Sequence, residues 1–329
     1  MKNSILAVLL FVLLGSCNVD GYKFPQADIE VPAYNLEIHR YGKALFELDT
    51  SDFQNELKAI QNEFSLFLGV DLNDSMNVVQ LYDYATDTQL ISIYNKTVEV
   101  YPNLNEVQNS LSEAFGRFHY YFPEIKLPEV YTYLSDLYFE MPVFKSDTSM
   151  IIALDVYLGK DFYLYKKLGL PFYKVRCMTP ENLPVDVMKT LYLSDVSRNI
   201  KKKTLLDHMI EGGKMLAYLD AVLPYTPDSV KICFSSDKLK WVIDNEKMIW
   251  AFLVENDLLY STDYQTQTKL IQDGPFTTGF SNESPSRIGI YIGWLIINKF
   301  LNNNPEISLH EMLRMTDSQM ILQQSGYKP

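Results

Sequence analysis

Apolar residues recur every three or four positions through most of the chain, the spacing that brings side chains onto one face of an α-helix. Three segments show this pattern most clearly, and the sequence predicts a helix over each: residues 105–122, 204–223 and 285–301. Pro123 and Pro224 follow the first two segments, where a proline ends a helix. Weaker helical patterns cover 50–68 and 238–260, and Ser308 with Glu311 forms a predicted capping box.

Alternation of apolar and polar positions, the mark of a strand, is concentrated in the middle of the chain. Residues 150–158 alternate cleanly, and residues 130–134 and 137–144 are rich in Tyr, Phe and Val. These three segments predict a small, largely antiparallel sheet, and a further short strand is predicted over 230–234. The predicted fold class is therefore α+β, mainly helical.

The first residues of the chain predict export and a lipid anchor. Residues 5–14 are ten consecutive apolar residues, too few to span a bilayer, which needs about 20, but typical of a signal peptide. Leu14-Gly15-Ser16-Cys17 follows and matches the bacterial lipobox, in which Cys17 becomes the first residue and is acylated. The sequence thus predicts a signal peptide over 1–16, a lipidated tether over 17–34 and one α+β domain over 35–329.

The charge balance excludes one class of partner. The net charge is −12 and the only basic run is residues 201–203, whereas a nucleic-acid surface needs clustered Lys and Arg. We therefore expect no nucleic-acid partner, and contact with a membrane through the N-terminal lipid only. Cys177 and Cys233 lie 56 residues apart outside any CxxC motif. An exported protein can pair them, but two separate buried thiols are the favoured interpretation.

Few residues point to catalysis or to a cofactor. The chain has no GxGxxG after a strand, no GxxxxGK[ST] and no GxSxG, and its four histidines are far apart. We expect no cofactor and no bound metal. The one constellation of interest is a groove formed by Asp155, His208 and Glu211, because His208 and Glu211 share a helix face. The alternative is that these polar residues lie beside Gly212 and Gly213, which allow close helix packing.

Several stretches of the chain resemble the GldB family of gliding-motility lipoproteins of Bacteroidota. The similar segments run in the same order through most of the mature chain: YYFPEIKLPEVYTY (120–133), LDVYLGK (154–160), KTLLDHMIEGGKML (203–216), LPYTPD (223–228), NEKMIW (245–250), DGPFT (273–277), ESPSRIG (283–289) and SGYKP (325–329). The resemblance implies a lipid-anchored, periplasm-facing protein of the cell envelope, at the outer membrane. Its partners would be envelope proteins of the gliding and type IX secretion machinery.

The family is also similar, more distantly, to predicted zinc peptidases that carry HExxH followed by a helix with Glu-Gly. This resemblance implies a zincin-like domain in which Glu211-Gly212 lies on the second helix and residues 185–194 form the first. Residues 185–194 contain no His, so the pair of imidazole ligands that a zincin needs is absent there. The expected role is a non-catalytic, peptidase-like scaffold. Two alternatives stay open: a hydrolase that uses Asp155, His208 and Glu211, or a lipoprotein that binds peptides or glycans.

The lipobox gives a direct test. The Cys17→Ala variant is expected to accumulate as an uncleaved or mislocalised precursor, because Cys17 supplies the only thiol that the lipobox offers for acylation. Membrane fractionation after a carbonate wash, together with palmitate labelling, measures this. A variant that still labels with palmitate and stays with the membranes would refute the lipoprotein assignment.

Overall fold

Helices account for most of the protein in a computed structural model, which describes residues 30–32, 34–197 and 203–329. The predicted signal peptide, Cys17 and most of the predicted tether lie outside these residues. The helices are α1 Tyr41–Phe46, α2 Phe53–Ile60, α3 Ser75–Thr86, α4 Thr88–Val100, α5 Asn105–Tyr121, α6 Tyr163–Lys167, α7 Phe172–Val175, α8 Leu183–Leu191, α9 Leu205–Val222, α10 Asp228–Lys231, α11 Ser236–Asp244, α12 Glu246–Glu255, α13 Tyr264–Ile271, α14 Ile288–Asn303, α15 Leu309–Arg314 and α16 Ser318–Ser325. Within the described residues, no helix combines the length and apolar character needed to cross a membrane.

The three clearest helix predictions are confirmed as α5, α9 and α14. The predicted capping box also forms, because the Ser308 hydroxyl accepts a bond from the Glu311 amide and the Glu311 carboxylate accepts one from the Ser308 amide. A second capping box, which Thr204 makes with Asp207, begins α9. Local chemistry therefore fixes where two helices of the C-terminal half begin.

The sheet has four strands: β1 Ile38–Arg40, β2 Glu129–Tyr133, β3 Val143–Lys145 and β4 Ser149–Ala153. They lie in the order β1-β2-β4-β3. The prediction of a largely antiparallel sheet is wrong, because β2 pairs in parallel with both β1 and β4, and only β3 with β4 is antiparallel. Five helices separate β1 from β2, which is the long connection that a parallel pair requires. Alternation along one strand predicts its faces but not the direction of its neighbour.

Three strand predictions differ from the structure. Of the strand predicted over 137–144, only residues 143 and 144 lie in a strand, which is β3. β4 stops at Ala153 and a 3-10 turn over Leu154–Val156 follows, so the alternation beyond residue 153 is not strand. The strand predicted over 230–234 is absent from the described structure, and α10 occupies its first residues. The apolar pattern there reflects burial rather than a strand, because Ile232 and Phe234 both lie in the core.

The sheet separates two apolar clusters. Val130, Met150 and Ile152 belong to the main core, which also contains the apolar faces of α5, α8, α9 and α14. Tyr131, one position along β2, belongs to a smaller cluster with Tyr41 and residues of the N-terminal helices. This division follows from the period of two along a strand, which sends successive side chains to opposite faces.

Helices α9 and α14 make the most extensive helix–helix contact in the described chain. A Cβ built at Gly293 would overlap the carbonyl group of Met209, and one built at Gly213 would overlap the backbone of Gly293. Gly212 lies against Ile290 in the same interface. The alternative interpretation of Gly212 and Gly213, close helix packing, is confirmed, and Gly293 shares this role, because only glycine lets the two backbones approach so closely.

A buried ion pair joins this helix pair to α10. The Nζ of Lys231 lies 2.6 Å from Oδ1 of Asp220, and the indole Nε1 of Trp294 donates to Oδ2 of Asp220 at 2.7 Å. Burial raises the pKa of Asp220 to about 6, although Lys231 and Trp294 act against the rise. Both oxygens of the buried carboxylate are thus hydrogen-bonded, as a buried charge requires.

The Gly293→Ala variant tests the close crossing. We expect it to reduce the free energy of unfolding by at least about 2 kcal/mol, because the helices must separate to admit the methyl group. The gain in helix propensity, about 1 kcal/mol, offsets only part of this loss. Urea unfolding followed by circular dichroism measures the change.

Gly274→Ala is the matched control. A Cβ at Gly274 has no neighbour closer than the Phe276 carbonyl oxygen at 3.8 Å, so this variant is expected to unfold near the wild-type midpoint. Equal effects of the two variants would show that the helix crossing does not depend on glycine.

Candidate functional site

Helix α8 occupies the stretch that the resemblance assigns to a metal-binding helix. It packs against α5, α9 and β3 and buries Val185, Val187, Met188 and Leu191 in the core. A π-helical turn over Tyr192–Val196 continues it. Its polar residues Asp186 and Lys189 lie on the wall of a cavity rather than in the core. The helix therefore presents a carboxylate and an ammonium group at this wall.

Asp155, the first predicted groove residue, is fully buried in the turn that follows β4. Its carboxylate accepts hydrogen bonds from the Ser135 amide, the Ser135 hydroxyl and the Leu137 amide, the last at 2.7 Å. Burial raises the pKa of Asp155 to about 6, although these hydrogen bonds lower it. Leu137 has a φ of +61°, a conformation that a leucine rarely adopts, so the carboxylate holds a strained loop in place.

Glu211, on α9, is paired with a buried lysine. Its Oε1 lies 2.6 Å from the Nζ of Lys214, a residue with no exposed area. Lys214 also donates to the main-chain oxygen of Met315, next to α15. An ammonium group buried this deeply needs a counter-charge, and Glu211 supplies it. The carboxylate of Glu211 therefore has a structural partner.

His208 is half-buried on α9, one turn before Glu211. Across residues 30–32, 34–197 and 203–329, no three His, Cys, Asp or Glu side chains come together where they could hold a metal ion. The structure thus does not assemble Asp155, His208 and Glu211 as a set of metal ligands. Asp155 belongs to the turn that follows β4, whereas Glu211 belongs to the contact of α9 with the segment after α15.

Cys177 and Cys233 form a disulfide, with their Cα atoms 5.8 Å apart. The expectation of two separate thiols is wrong. Cys177 follows α7 and Cys233 follows α10, and the fold places these two segments side by side although 56 residues separate them. Sequence spacing alone carries no information about this approach.

A cavity of about 180 Å³ lies beside the disulfide. Its wall combines both cysteines, apolar residues and several charged groups. The lining residues that carry charge are Lys174, Asp186, Lys189, Asp273 and Arg287. They come from α7, α8, the loop after α13 and the residue before α14, so the cavity is a meeting point of four segments.

Asp273 is the centre of the charged cluster. Three cations surround its carboxylate, with nitrogen–oxygen distances of 3.4 Å for Lys174 and 3.6 Å for both Arg176 and Arg287. The Ser286 hydroxyl donates to Oδ1 at 3.0 Å. Burial opposes ionisation, but Arg287, Lys174, Ser286 and Arg176 outweigh it and lower the pKa of Asp273.

The second carboxylate of the cavity is Asp186. It accepts a hydrogen bond of 3.0 Å from the Tyr157 hydroxyl, and its Oδ1 lies 3.5 Å from the Nζ of Lys189. Burial lowers the pKa of Lys189, which Asp186 partly counteracts and Arg287 reinforces. Positive groups are therefore crowded on this wall.

Sequence reasoning did not find this cluster. Residues 174, 176, 189, 273 and 287 follow no period and form no recognised motif, so only the fold unites them. One signal was available: Asp273 and Arg287 each lie in a segment that carries the family resemblance, DGPFT and ESPSRIG. The structure shows that these two segments meet through an ion pair.

The pKa of Asp155 generates a pH-dependent prediction. The carboxyl has a higher pKa in the folded protein, about 6, than the reference value of 3.8, so folding favours its protonated form. Its contribution to stability is therefore complete below pH 3.8 and is lost as the pH rises through about 6. The Asp155→Asn variant cannot titrate and lacks this dependence.

At pH 5 we expect Asp155→Asn to reduce the free energy of unfolding by about 1–3 kcal/mol, because a side-chain NH₂ would face the donors of Ser135 and Leu137. Between pH 5 and pH 7 this difference from wild type should shrink by about 1 kcal/mol. Urea unfolding at both pH values measures it, with the exposed Asp161→Asn as control. A difference that widens toward pH 7 would contradict the raised pKa.

The chain matches no curated protein and no solved structure. The sequence profile of the family described as gliding motility protein GldB, a family of lipoproteins by its name, matches residues 24–329. The match covers the sheet, both apolar clusters, the disulfide and the charged cavity. This chain therefore belongs to the GldB gliding-motility family.

Proposed function

We propose that this protein is a lipid-anchored, non-catalytic scaffold with a zincin-like domain, which acts with the gliding and type IX secretion machinery. Its domain would span residues 35–329, and residues 17–34 would tether it to the membrane through Cys17. The family match begins at residue 24, shortly after the lipobox. This arrangement supports a domain held close to a membrane by its N-terminal lipid.

The proposal of a non-catalytic role rests on the ion pairs that the charged residues of α8 and α9 make. Glu211, which the resemblance places on the second helix of a peptidase, neutralises the buried Lys214. On α8 the polar positions toward the cavity are Asp186 and Lys189, which pair with each other. A metal peptidase uses these two helices to hold imidazole ligands and a base. Here their charged side chains stabilise the fold and line a cavity.

We further propose a periplasm-facing position at the outer membrane, with envelope proteins of the same machinery as partners. A gliding-motility family and a lipobox support this location together. The acidic surface, with a net charge of −12, argues for partners that are proteins rather than nucleic acid.

Chromosomal alleles test this function. In a gliding host that carries this gene, Cys17→Ala is expected to abolish gliding and secretion, because the domain loses its anchor. Glu211→Gln and His208→Ala are expected to retain both, because neither residue has a catalytic role in the proposal. Glu211→Gln leaves the buried Lys214 without its counter-charge, so this allele is compared only where the protein level equals wild type. Colony spreading and the amount of secreted protein are the measurements, with immunoblots to show equal protein levels.

Metal analysis of the purified protein decides between the scaffold and the hydrolase. The scaffold predicts no stoichiometric zinc. About one zinc per chain that disappears in His208→Ala, or loss of gliding in a stable Glu211→Gln allele, would overturn the proposal in favour of metal-assisted hydrolysis.

A further inference from the structure

The charged cavity beside the disulfide carries an excess of positive charge. Three cations of the wall, Lys174, Lys189 and Arg287, stand against two carboxylates, Asp186 and Asp273. Arg176 adds a fourth cation beside Asp273, although it does not line the cavity. Four minus two leaves a local charge of +2, in a chain whose net charge is −12. A partly buried site with this imbalance is stabilised by an anion, because charges there are less screened than at an exposed surface.

The donors of these cations are not saturated. Their nitrogen–oxygen distances to the carboxylates range from 3.4 to 3.6 Å, whereas a charged hydrogen bond measures about 2.7–2.9 Å. The Nε of Arg287 and the Nε and Nη2 of Arg176 are buried and have no hydrogen-bond partner within the described residues. Buried donors without acceptors are rare in folded proteins.

We propose that this cavity binds a small oxyanion, a carboxylate or phosphate group, held by Lys189, Lys174 and Arg287. The inference deepens the proposed non-catalytic function by giving the scaffold a ligand. Guanidinium groups match the geometry of both kinds of oxyanion, and a lysine adds a compact charge. The unpaired Nε of Arg287 would then find an acceptor at hydrogen-bond distance.

The size of the cavity limits what enters it. A volume of 180 Å³ holds roughly six water molecules, enough for a carboxylate or phosphate group but not for a folded chain. The Lys174 side chain is 43% exposed and the Lys189 side chain 19%, so an entering anion meets Lys174 first. The remainder of a larger ligand would stay outside the cavity.

The test uses the full-length protein purified in detergent. Thermal unfolding is followed while sodium phosphate or sodium acetate replaces sodium chloride at constant ionic strength. Because a ligand of the folded state raises the unfolding midpoint, a saturable rise is expected with at least one oxyanion. The more effective of the two shows whether the natural ligand carries a phosphate or a carboxylate group.

Two variants are expected to change the affinity for the oxyanion in opposite directions. Lys189→Gln removes a charged donor and is expected to weaken binding by at least about tenfold, as judged by calorimetric titration. Asp186→Asn removes a repulsive charge from the wall and is expected to strengthen it. A purely structural cluster would not respond in opposite directions. Lys174→Gln, at an exposed residue, is a second weakening variant that should fold normally.

Lys145→Gln is the matched control, since Lys145 is similarly buried but pairs with Asp195 outside the cavity. It should bind the anion like wild type. No saturable rise with either oxyanion, or equal loss in Lys189→Gln and Lys145→Gln, would overturn the oxyanion proposal. Binding is measured on isolated protein, so this failure leaves the scaffold proposal intact if the Cys17 and Glu211 alleles behave as expected.

Discussion

The close crossing of α9 and α14 is the constraint on which the C-terminal half of the molecule depends. Gly213 and Gly293 bring the two backbones into direct contact. That contact fixes the position of Arg287, the residue before α14, and of Glu211 and Asp220 on α9. A wider crossing would pull Trp294 away from Asp220 and shift Arg287 relative to the cavity. The packing of this half and the positions of its charged residues therefore both depend on this crossing.

Buried charged residues are a second feature of this fold. Lys214 and Lys231 are buried, and each has a carboxylate 2.6 Å from its ammonium group. The Glu211–Lys214 pair lies within α9, and the Asp220–Lys231 pair joins α9 to α10. A buried pair broken on one side is strongly destabilising. The cavity differs from them, because there the cation–carboxylate distances are longer and the cations outnumber the carboxylates. Tight pairs serve the fold, and the looser cluster is where a ligand fits.

Helices α8 and α9 are packed against each other in the fold. Two adjacent helices with inward polar residues are a framework on which a metal site could be built. In this chain the same framework carries Asp186, Lys189, Glu211 and Lys214, which form ion pairs along each helix.

The sequence by itself determined the helices α5, α9 and α14, because long amphipathic segments with capping residues and terminal prolines leave little local choice. It also identified the packing role of Gly212 and Gly213, and the family through segments that run in the same order. The sequence did not determine which residues its candidate residues contact. Asp155 and Glu211 could be named as polar residues of interest. Their pairing with Ser135 and Lys214, respectively, depends on loop and helix geometry.

Only the tertiary structure decided strand direction, the disulfide and the cavity. Alternation along β4 shows its two faces, but pairing with β2 in parallel depends on the path of the chain between them. Cys177 and Cys233 meet because α7 and α10 are neighbours in the fold, and Lys174, Lys189, Asp273 and Arg287 meet for the same reason. Such contacts between distant segments depend on how the core packs, and no local pattern of residues encodes them.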